Sequence, residues 1–412
     1  MPARAATIAY AFKNAAWADG YLQGTLAAQT TGGSEIGETF AAAAQVRVGD
    51  CASWQAAFRE MAERVEELAL ESDRAGHAVS ARDCFLRASN YYRAMLVQMG
   101  PRVDPDYHEV ARRMRSLFAR AAALSEGLIE PFELPFEHGH LPGYVLHGDD
   151  GTGPAKTVIV VGGADSFAED LYHWYGAQGA RRGYKVVLVD LPGQGLTARD
   201  GFRFRPDAEA ALGALVAHVG ARPDVDASRI AAIGFSLGGY LVPRATTAGV
   251  PLRAIVAASI FPDFEDHWRS IPLVSTMAEW EGTWKMALLA RLFGSRMKVV
   301  ERSFDTYKER WGARSIAELV EKAAGWRFDP GAVPCPTLIL APQSEYDGYG
   351  LVRARIHDAL DRLPNPRKRL VVLPSALGAG RSVGGPNLSV CARMAFDWLD
   401  DTLAADAPPA AS

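Results

Sequence analysis

A short apolar stretch that runs directly into a glycine-flanked serine is the feature that most restricts how this chain can fold. Residues 229–240 read Arg-Ile-Ala-Ala-Ile-Gly-Phe-Ser-Leu-Gly-Gly-Tyr. The apolar residues predict a buried strand, and G-x-S-x-G-G predicts a sharp strand-to-helix turn that presents Ser236 at the edge of a sheet. Gly234 and Gly238 stand where such a strained turn needs residues without a Cβ atom. The segment therefore indicates a scaffold built around a serine nucleophile.

The usual proton acceptor for such a serine is missing from its expected place. A serine hydroxyl is a poor nucleophile unless a neighbouring base takes its proton, and in this arrangement a histidine follows the acid residue late in the chain. The last histidine is His357. Residues 374–387, after the final predicted strand, offer Arg381 and turn residues but no group that accepts a proton near neutral pH.

Length and composition set broad limits on the class of protein. A chain of 412 residues is long for one domain and predicts a main domain with a smaller second one. The net charge of -4 gives no electrostatic reason to expect nucleic acid or an anionic membrane as a partner. We find no signal-peptide pattern and no apolar run of about 20 residues that would span a membrane. Four scattered cysteines, without metal-type spacing, indicate reduced thiols and a cytoplasmic location.

Residues 51–128 carry the spacing of amphipathic helices. Apolar residues recur three or four positions apart over three successive stretches, which predicts one buried face on each of three helices. The stripes are Trp54, Phe58, Met61, Val65 and Leu68; Phe85, Ala88, Tyr92 and Met95; and Val110, Met114, Leu117 and Ala121. Residues 1–40 are only weakly periodic. We predict an N-terminal helical cap segment over residues 1–130.

From residue 131 the pattern changes to short apolar strands separated by helices. After a hairpin over residues 131–148, the predicted strands are 157–161, 184–190, 229–233, 254–260, 336–340 and 369–373. Such alternation predicts an α/β fold with a mostly parallel sheet and helices on both faces. We place the core at residues 131–261 and 334–403, a Trp-rich helical lid insertion at 262–333, and a disordered tail at 404–412.

Two loops supply candidates for stabilising a negative charge on a substrate oxygen. Gly162-Gly-Ala-Asp-Ser166 follows a predicted strand, and such a loop contributes one backbone N–H to an oxyanion hole. The residue after the nucleophile, Leu237, contributes the other. We expect the first donor to be the amide of Gly163 or of Ala164.

The remaining polar candidates are less sharply defined. Glu345 has the best offset for an acid residue, and Asp347 is the close alternative, although either could be a solvated loop carboxylate. His267 and His173 are the histidines that could approach the serine, although a lone histidine is more often structural. Asp190, in Asp-Leu-Pro-Gly-Gln-Gly at 190–195, is expected to order its turn.

Several motifs together resemble one branch of the α/β-hydrolase superfamily. GGADSFAEDLY (162–172), DLPGQG (190–195), GFSLGGY (234–240), LRASNYYR (86–93) and FEHGHLPGYV (136–145) carry the likeness. That branch includes dihydroxypseudooxynicotine hydrolase, the FrsA-like proteins and fungal hydrolases that shorten polyketide chains. The likeness extends over residues 49–403.

The resemblance implies an α/β-hydrolase fold, a site between sheet and helical cap, and a homodimer. It implies Ser236 as nucleophile and Glu345 or Asp347 as acid. Several members cleave carbon–carbon bonds next to ketones. The family histidine would fall within residues 377–382, where this chain has Gly380-Arg381. No cofactor and no metal are expected.

Two hypotheses of different class follow. In the first, an enzyme acts on a carbonyl-containing small molecule, aromatic or polyketide-like because of the Trp-rich lid. Asp165, Arg381 and Trp268 would contact this substrate. The reaction is hydrolytic C–C or C–O cleavage through Ser236, or cyclisation, elimination or acyl transfer. In the second, the chain is a degenerate binding or regulatory protein in which Arg381 meets an acidic ligand.

Overall fold

The computed structural model of the chain describes residue 12 and residues 16–148, 153–269, 272–348 and 350–404. These residues form two compact units, one comprising Met1–Ile129 with Trp268–Lys322 and the other Glu130–His267 with Ala323–Ser412. The predicted tail after residue 404 lies outside the described residues. Every helix among the described residues falls short of the length and apolarity that a membrane span requires.

The first unit is helical. Its helices, in chain order, are α1 (Ala16–Ala27), α2 (Ile36–Ala43), α3 (Cys51–Arg74), α4 (Ala78–Leu96) and α5 (Tyr107–Ala123). After the chain returns, α10 (Phe264–Arg269) leads into α11 (Pro272–Trp280), α12 (Trp284–Phe293), α13 (Ser295–Trp311) and α14 (Ile316–Lys322). Asp50 begins α3, since its carboxylate accepts the backbone N–H groups of Ala52 and Ser53, which otherwise lack acceptors at a helix start.

The three predicted helices are present, and one predicted stripe is wrong at its end. Trp54, Phe58 and Val65 are buried on α3, but Leu68 is 50% exposed. The buried face of α3 instead continues through Ala62 and Ala69. Small alanines let a neighbouring helix approach closely, and spacing alone does not distinguish position 68 from position 69.

The second unit contains an eight-stranded sheet. Its strands are β1 (Ile129–Phe136), β2 (Gly139–His147), β3 (Ala155–Val161), β4 (Lys185–Val189), β5 (Val225–Phe235), β6 (Ile255–Ala258), β7 (Thr337–Pro342) and β8 (Lys368–Leu373). Their order is β1-β2-β4-β3-β5-β6-β7-β8. β2 is antiparallel to β4, and every pairing from β4 to β8 is parallel. The mostly parallel sheet is thus confirmed, and β4 is buried along its whole length, as expected under helices on both faces.

Helices connect the parallel strands, and a further helix follows the last strand. They are α6 (Ala168–Leu171), α7 (Ala177–Ala180), α8 (Ala208–Gly220), α9 (Gly238–Thr247), α15 (Gln343–Gly348), α16 (Gly350–Arg362) and α17 (Leu388–Ala404). A π-helical turn, Tyr172–Gly176, joins α6 to α7. Because β3 to β8 run in one direction, the segments after β3, β5, β7 and β8 all leave the same edge of the sheet, where ligands bind in such folds.

The opposite edge of the sheet holds a network of charged side chains. Lys185, 1% exposed at the start of β4, lies 3.1 Å from an Asp224 oxygen and 2.9 Å from His147 Nδ1. Arg222 bonds both Asp224 and Glu130, and Glu130 also bonds His147. The Arg222 guanidinium, followed by Lys185, lowers the pKa of the Asp224 carboxyl. The buried ammonium therefore depends on Asp224 for its counter-charge.

We predict that Asp224→Asn lowers the free energy of unfolding by about 1 to 2 kcal/mol at neutral pH, because Lys185 loses its ionic partner. The lowered pKa means that this stabilisation is present above the unfolded-state value near 4 and is lost as the pH falls below it. Denaturant unfolding of both proteins across the acid range measures the difference, which should shrink with falling pH. Asp397→Asn, which breaks an exposed pair with Arg393, should change the free energy by about 0.5 kcal/mol or less. An equal effect of both variants would contradict the prediction.

Candidate active site

The turn after β5 holds Ser236 in a strained backbone conformation. Its φ of 52° is in the left-handed region that residues with a Cβ atom rarely adopt. The Ser236 N–H donates to Ala258 O at 2.7 Å, which ties the turn to β6. A Cβ atom on Gly234 would lie 2.1 Å from Gly238 O, and one on Gly239 would lie 1.6 Å from Ser259 O. The glycines are therefore required by close backbone contacts around the serine.

The loop after β3 lies directly against Ser236. A Cβ atom on Gly163 would be 3.1 Å from Ser236 Oγ, so only glycine leaves the space beside this hydroxyl open. The Gly163 N–H donates to Ser166 Oγ at 2.8 Å, so this amide is already engaged within the loop. On the other side, the Leu237 N–H has no hydrogen-bond acceptor among the described residues. Ser236 is thus flanked by the two backbone segments from which an oxyanion hole is built.

No described side chain forms a hydrogen bond with Ser236 Oγ. His173 lies in the π-helical turn and is buried, and burial lowers the pKa of its imidazole to about 4. His267 lies on α10, where burial and then the Arg355 charge lower its pKa to about 4. Its ring centroid is 4.3 Å from that of Phe261. Both histidines are neutral near pH 7, but neither is brought into hydrogen-bonding contact with the serine.

The two candidate acids on α15 have different surroundings. Asp347 is exposed and forms an ion pair with Arg353 at 2.6 Å. Glu345 is half-buried, and no described residue forms a hydrogen bond or ion pair with it. Burial raises the pKa of the Glu345 carboxyl, as desolvation does for any carboxylate. The two carboxyl groups therefore differ, because Glu345 is desolvated whereas Asp347 is part of an exposed ion pair.

The segment after β8, where a histidine would normally lie, packs beside α15. Gly380 O accepts the Ser344 N–H at 2.9 Å. This hydrogen bond joins the residue before Arg381 to the residue before Glu345. A Cβ atom on Gly380 would be 2.1 Å from Ser375 Oγ. The half-buried Arg381 has no ion pair within the described part of the chain.

The spacing patterns did not single out two side chains that border the site. Trp174 stacks on Phe235, the residue before Ser236, with ring centroids 4.7 Å apart. A Cβ atom on Gly385 would lie 3.0 Å from the same indole, so Trp174 bridges the serine turn and the segment after β8. Gln194 contacts the loop after β3. Only the aromatic run Tyr-His-Trp-Tyr at 172–175 and the turn motif at 190–195 hinted at them.

The predicted substrate contacts are distributed unevenly. Asp165 is exposed on the loop after β3. Trp268 is 7% exposed and packs in the helical unit against Phe304, Tyr307 and Trp311.

Among the described residues, no group of three or more His, Cys, Asp or Glu side chains could hold a metal ion. The four cysteines, all among the described residues, are buried and form no disulfide.

We predict that Gly239→Ala lowers the free energy of unfolding by about 3 kcal/mol or prevents folding, because a buried Cβ overlaps a backbone carbonyl. Gly213→Ala is the matched control: it lies on α8, where the nearest atom to a new Cβ is 3.7 Å away, so alanine should be neutral or stabilise by up to about 1 kcal/mol. Thermal and denaturant unfolding measure both. Similar stabilities for the two variants would contradict the prediction, because the Ser259 carbonyl would then have moved away from the new Cβ atom without loss of stability.

We predict that Glu345→Gln raises the free energy of unfolding at neutral pH. The folded-state pKa of Glu345 is raised, so ionisation destabilises the folded protein, and the gain should appear only above the unfolded-state value near 4.3. Glu318→Gln is a control of opposite sign, since the Arg314 N–H and guanidinium lower the Glu318 pKa. Unfolding measured against pH tests both. A loss of stability in Glu345→Gln would mean that the carboxylate has a stabilising partner.

Comparison with known proteins identifies the family. The model of the esterase FrsA-like family matches residues 58–262. The alpha/beta hydrolase gkaG of Penicillium citrinum is 31% identical over 385 residues, which cover 86% of this chain and 88% of the relative. The hydrolyase poxO of Penicillium oxalicum is 31% identical over 405 residues, which cover 92% of this chain and 95% of the relative.

Solved structures show the same fold. 2,6-Dihydroxy-pseudo-oxynicotine hydrolase superposes with a TM-score of 0.70 at 21% identity, covering 92% of this chain and 96% of its own. AbyA5 superposes with a TM-score of 0.56 at 18% identity, covering 95% and 99%. Sheet order, serine turn and relatives therefore agree that the chain belongs to the FrsA-like branch of the α/β-hydrolase superfamily.

Proposed function

We propose that this protein is an enzyme that acts on a carbonyl-containing small molecule, with Ser236 as its central catalytic residue. The observation that carries the proposal is the left-handed φ of 52° at Ser236, since backbone strain of this kind is retained where it positions a reactive group. In this proposal the substrate carbonyl carbon faces Ser236 Oγ. Its oxygen lies between the N–H groups of Leu237 and Ala164.

Glu345 is the proposed proton-transferring group. Burial raises the pKa of its carboxyl, which makes the Glu345 carboxylate a stronger base than a carboxylate in water. Glu345 follows the carboxyl end of β7, and Ser236 follows the carboxyl end of β5. Both lie at the same edge of the sheet, because β5, β6 and β7 are parallel neighbours. His173 and His267 are the alternatives, and their low pKa values of about 4 keep the imidazoles unprotonated.

Because no described base forms a hydrogen bond with Ser236, the proposal includes two classes of reaction, which differ in whether the serine attacks the substrate. In the first, Ser236 attacks the carbonyl and a C–C or C–O bond is hydrolysed, with Glu345 or a substrate group taking the serine proton. In the second, Ser236 only hydrogen-bonds the substrate, and elimination, cyclisation or acyl transfer follows. The relative in Penicillium oxalicum is called a hydrolyase, a class that adds or removes water, which supports the second class as a candidate.

The test is covalent labelling by a fluorophosphonate, which reacts only with an activated serine. We expect intact-mass labelling of the wild type, none in Ser236→Ala, and normal labelling in Ser228→Ala, an exposed serine near the start of β5. Glu345→Gln should slow labelling by about tenfold to a hundredfold if its carboxylate accepts the proton. Labelling that survives in Ser236→Ala would exclude Ser236 as the nucleophile.

A second measurement distinguishes the two reaction classes from each other and from a binding protein without activity. A panel of esters, β-diketones and β-hydroxy ketones is incubated with wild type and Ser236→Ala, and the products are identified by mass. Turnover that disappears with Ser236 supports the covalent class, and turnover that persists at a reduced rate supports the hydrogen-bonding class. Tight binding of acidic ligands that depends on Arg381, without turnover of any compound in the panel, would overturn the enzyme proposal.

A further inference from the structure

We propose that Gln194 is a positioning residue that sets the direction of the peptide unit joining Gly163 and Ala164, and with it the aim of the Ala164 N–H at the substrate oxygen. This inference rests on the proposed function of Ser236. It assigns a role to the motif Asp-Leu-Pro-Gly-Gln-Gly at 190–195, which the proposed chemistry leaves unused.

The Gln194 amide is buried between the turn after β4 and the loop after β3. The side chain is 1% exposed. Its Nε2 donates to Gly162 O at 2.7 Å and to Gly163 O at 3.2 Å, and its Oε1 accepts the Leu191 N–H at 3.0 Å. One side chain thus holds two successive carbonyl groups of the loop that lies against Ser236.

Peptide geometry converts these contacts into a direction for the amides. The C=O and N–H groups of a trans peptide unit are coplanar and point in opposite directions. Gln194 holds Gly162 O while Ser166 Oγ accepts the Gly163 N–H at 2.8 Å, so this unit is fixed at both ends. Gly163 O accepts from Gln194 Nε2 at 3.2 Å and also from the Ser166 N–H at 3.4 Å. These bonds direct the Ala164 N–H to the opposite side of the next peptide unit, and Gln194 supplies the shorter of the two.

The loop needs such a restraint because it begins with two glycines. Gly162 and Gly163 have no Cβ atom and can adopt many backbone conformations. A rotated Gly163–Ala164 unit would present a carbonyl oxygen where the hole needs a donor, and oxyanion stabilisation depends on donors that are already oriented. The glycine at 163 cannot be replaced to stiffen the loop, since its missing Cβ leaves room beside Ser236 Oγ.

The turn is shaped to deliver Gln194 into this position. Gly193 and Gly195 have φ values of 88° and 53°, both in the left-handed region. A Cβ atom at Gly193 would lie 2.6 Å from Phe204, and one at Gly195 would lie 1.9 Å from an Asp190 oxygen. The Gly195 N–H donates to Ser166 O at 3.0 Å, so the turn is also joined to the loop by its backbone.

The test compares Gln194→Met and Gln194→Glu with Gln178→Met. Methionine removes both the donor and the acceptor at similar volume, whereas glutamate keeps an acceptor for Leu191 and loses the donor when ionised. Gln178 is a second buried glutamine in this unit, bonded to Arg182. Fluorophosphonate labelling of Ser236 is measured against probe concentration and pH, with thermal unfolding as the check on folding.

We expect Gln194→Met to lower the maximal labelling rate constant by about tenfold to a hundredfold without changing half-saturation, as for a misdirected oxyanion donor. Gln194→Glu should be slow at alkaline pH and should recover relative to wild type as the pH falls. Burial beside carbonyl oxygens raises the pKa of the new carboxyl, and its protonated form again donates. Gln178→Met should label at the wild-type rate.

Hydrogen exchange of residues 162–166, measured by mass spectrometry, reports on the loop without any chemistry at Ser236. We expect faster exchange there in Gln194→Met and in ionised Gln194→Glu. Wild-type labelling rates and wild-type exchange in folded Gln194 variants would overturn the inference. If the wild type is not labelled at all, the covalent class of the proposed function fails, and hydrogen exchange of residues 162–166 then tests the role of Gln194 by itself.

Discussion

The close backbone packing around Ser236 is the constraint on which the rest of the site depends. A non-glycine residue at a φ of 52° costs on the order of 1 to 3 kcal/mol and persists only where its surroundings hold it. Here Ala258 O holds the Ser236 N–H, while Gly239 and Gly163 bring backbone within contact distance on two sides. These contacts join the turn after β5 to the end of β6 and to the loop after β3, so the serine geometry exists only when β3, β5 and β6 are in their observed order.

Much of this arrangement could be predicted from the sequence because its causes are local. Continuous apolar runs identify strands buried on both faces, and the glycine pattern around Ser236 identifies the turn. What could not be predicted depends on contacts between distant segments. Glu345 and Asp347 are two residues apart, and only burial and the Arg353 ion pair distinguish them. From the sequence, Gln194 is indistinguishable from an ordinary turn residue. Only the structure reveals its hydrogen bond to the loop after β3.

Charge and strain are divided between the two edges of the sheet. At the amino ends of β4 and β5, Lys185 and Asp224 satisfy each other in a network that includes Arg222, and such paired groups hold strand ends together. At the carboxyl ends, Ser236 has a strained backbone, and Glu345 has no hydrogen-bond or ion-pair partner among the described residues. This division is expected where stability and reactivity compete, because a reactive group must retain unsatisfied interactions for its substrate.

Within the carboxyl edge, the two halves differ in how completely they are fixed. On the side of β3, β4 and β5, Gln194 and Ser166 hold both peptide units of the loop beside Ser236. On the side of β7 and β8, Glu345 and Arg381 have no partner among the described residues, and Ser375 Oγ is buried without one. Desolvated polar groups without partners are costly, and under the proposed function a bound substrate would supply the hydrogen bonds that these groups lack. The missing histidine falls on this same side. Under the proposed function, the half that would bind a carbonyl oxygen is therefore preorganised, and the half that would move protons is completed by the substrate.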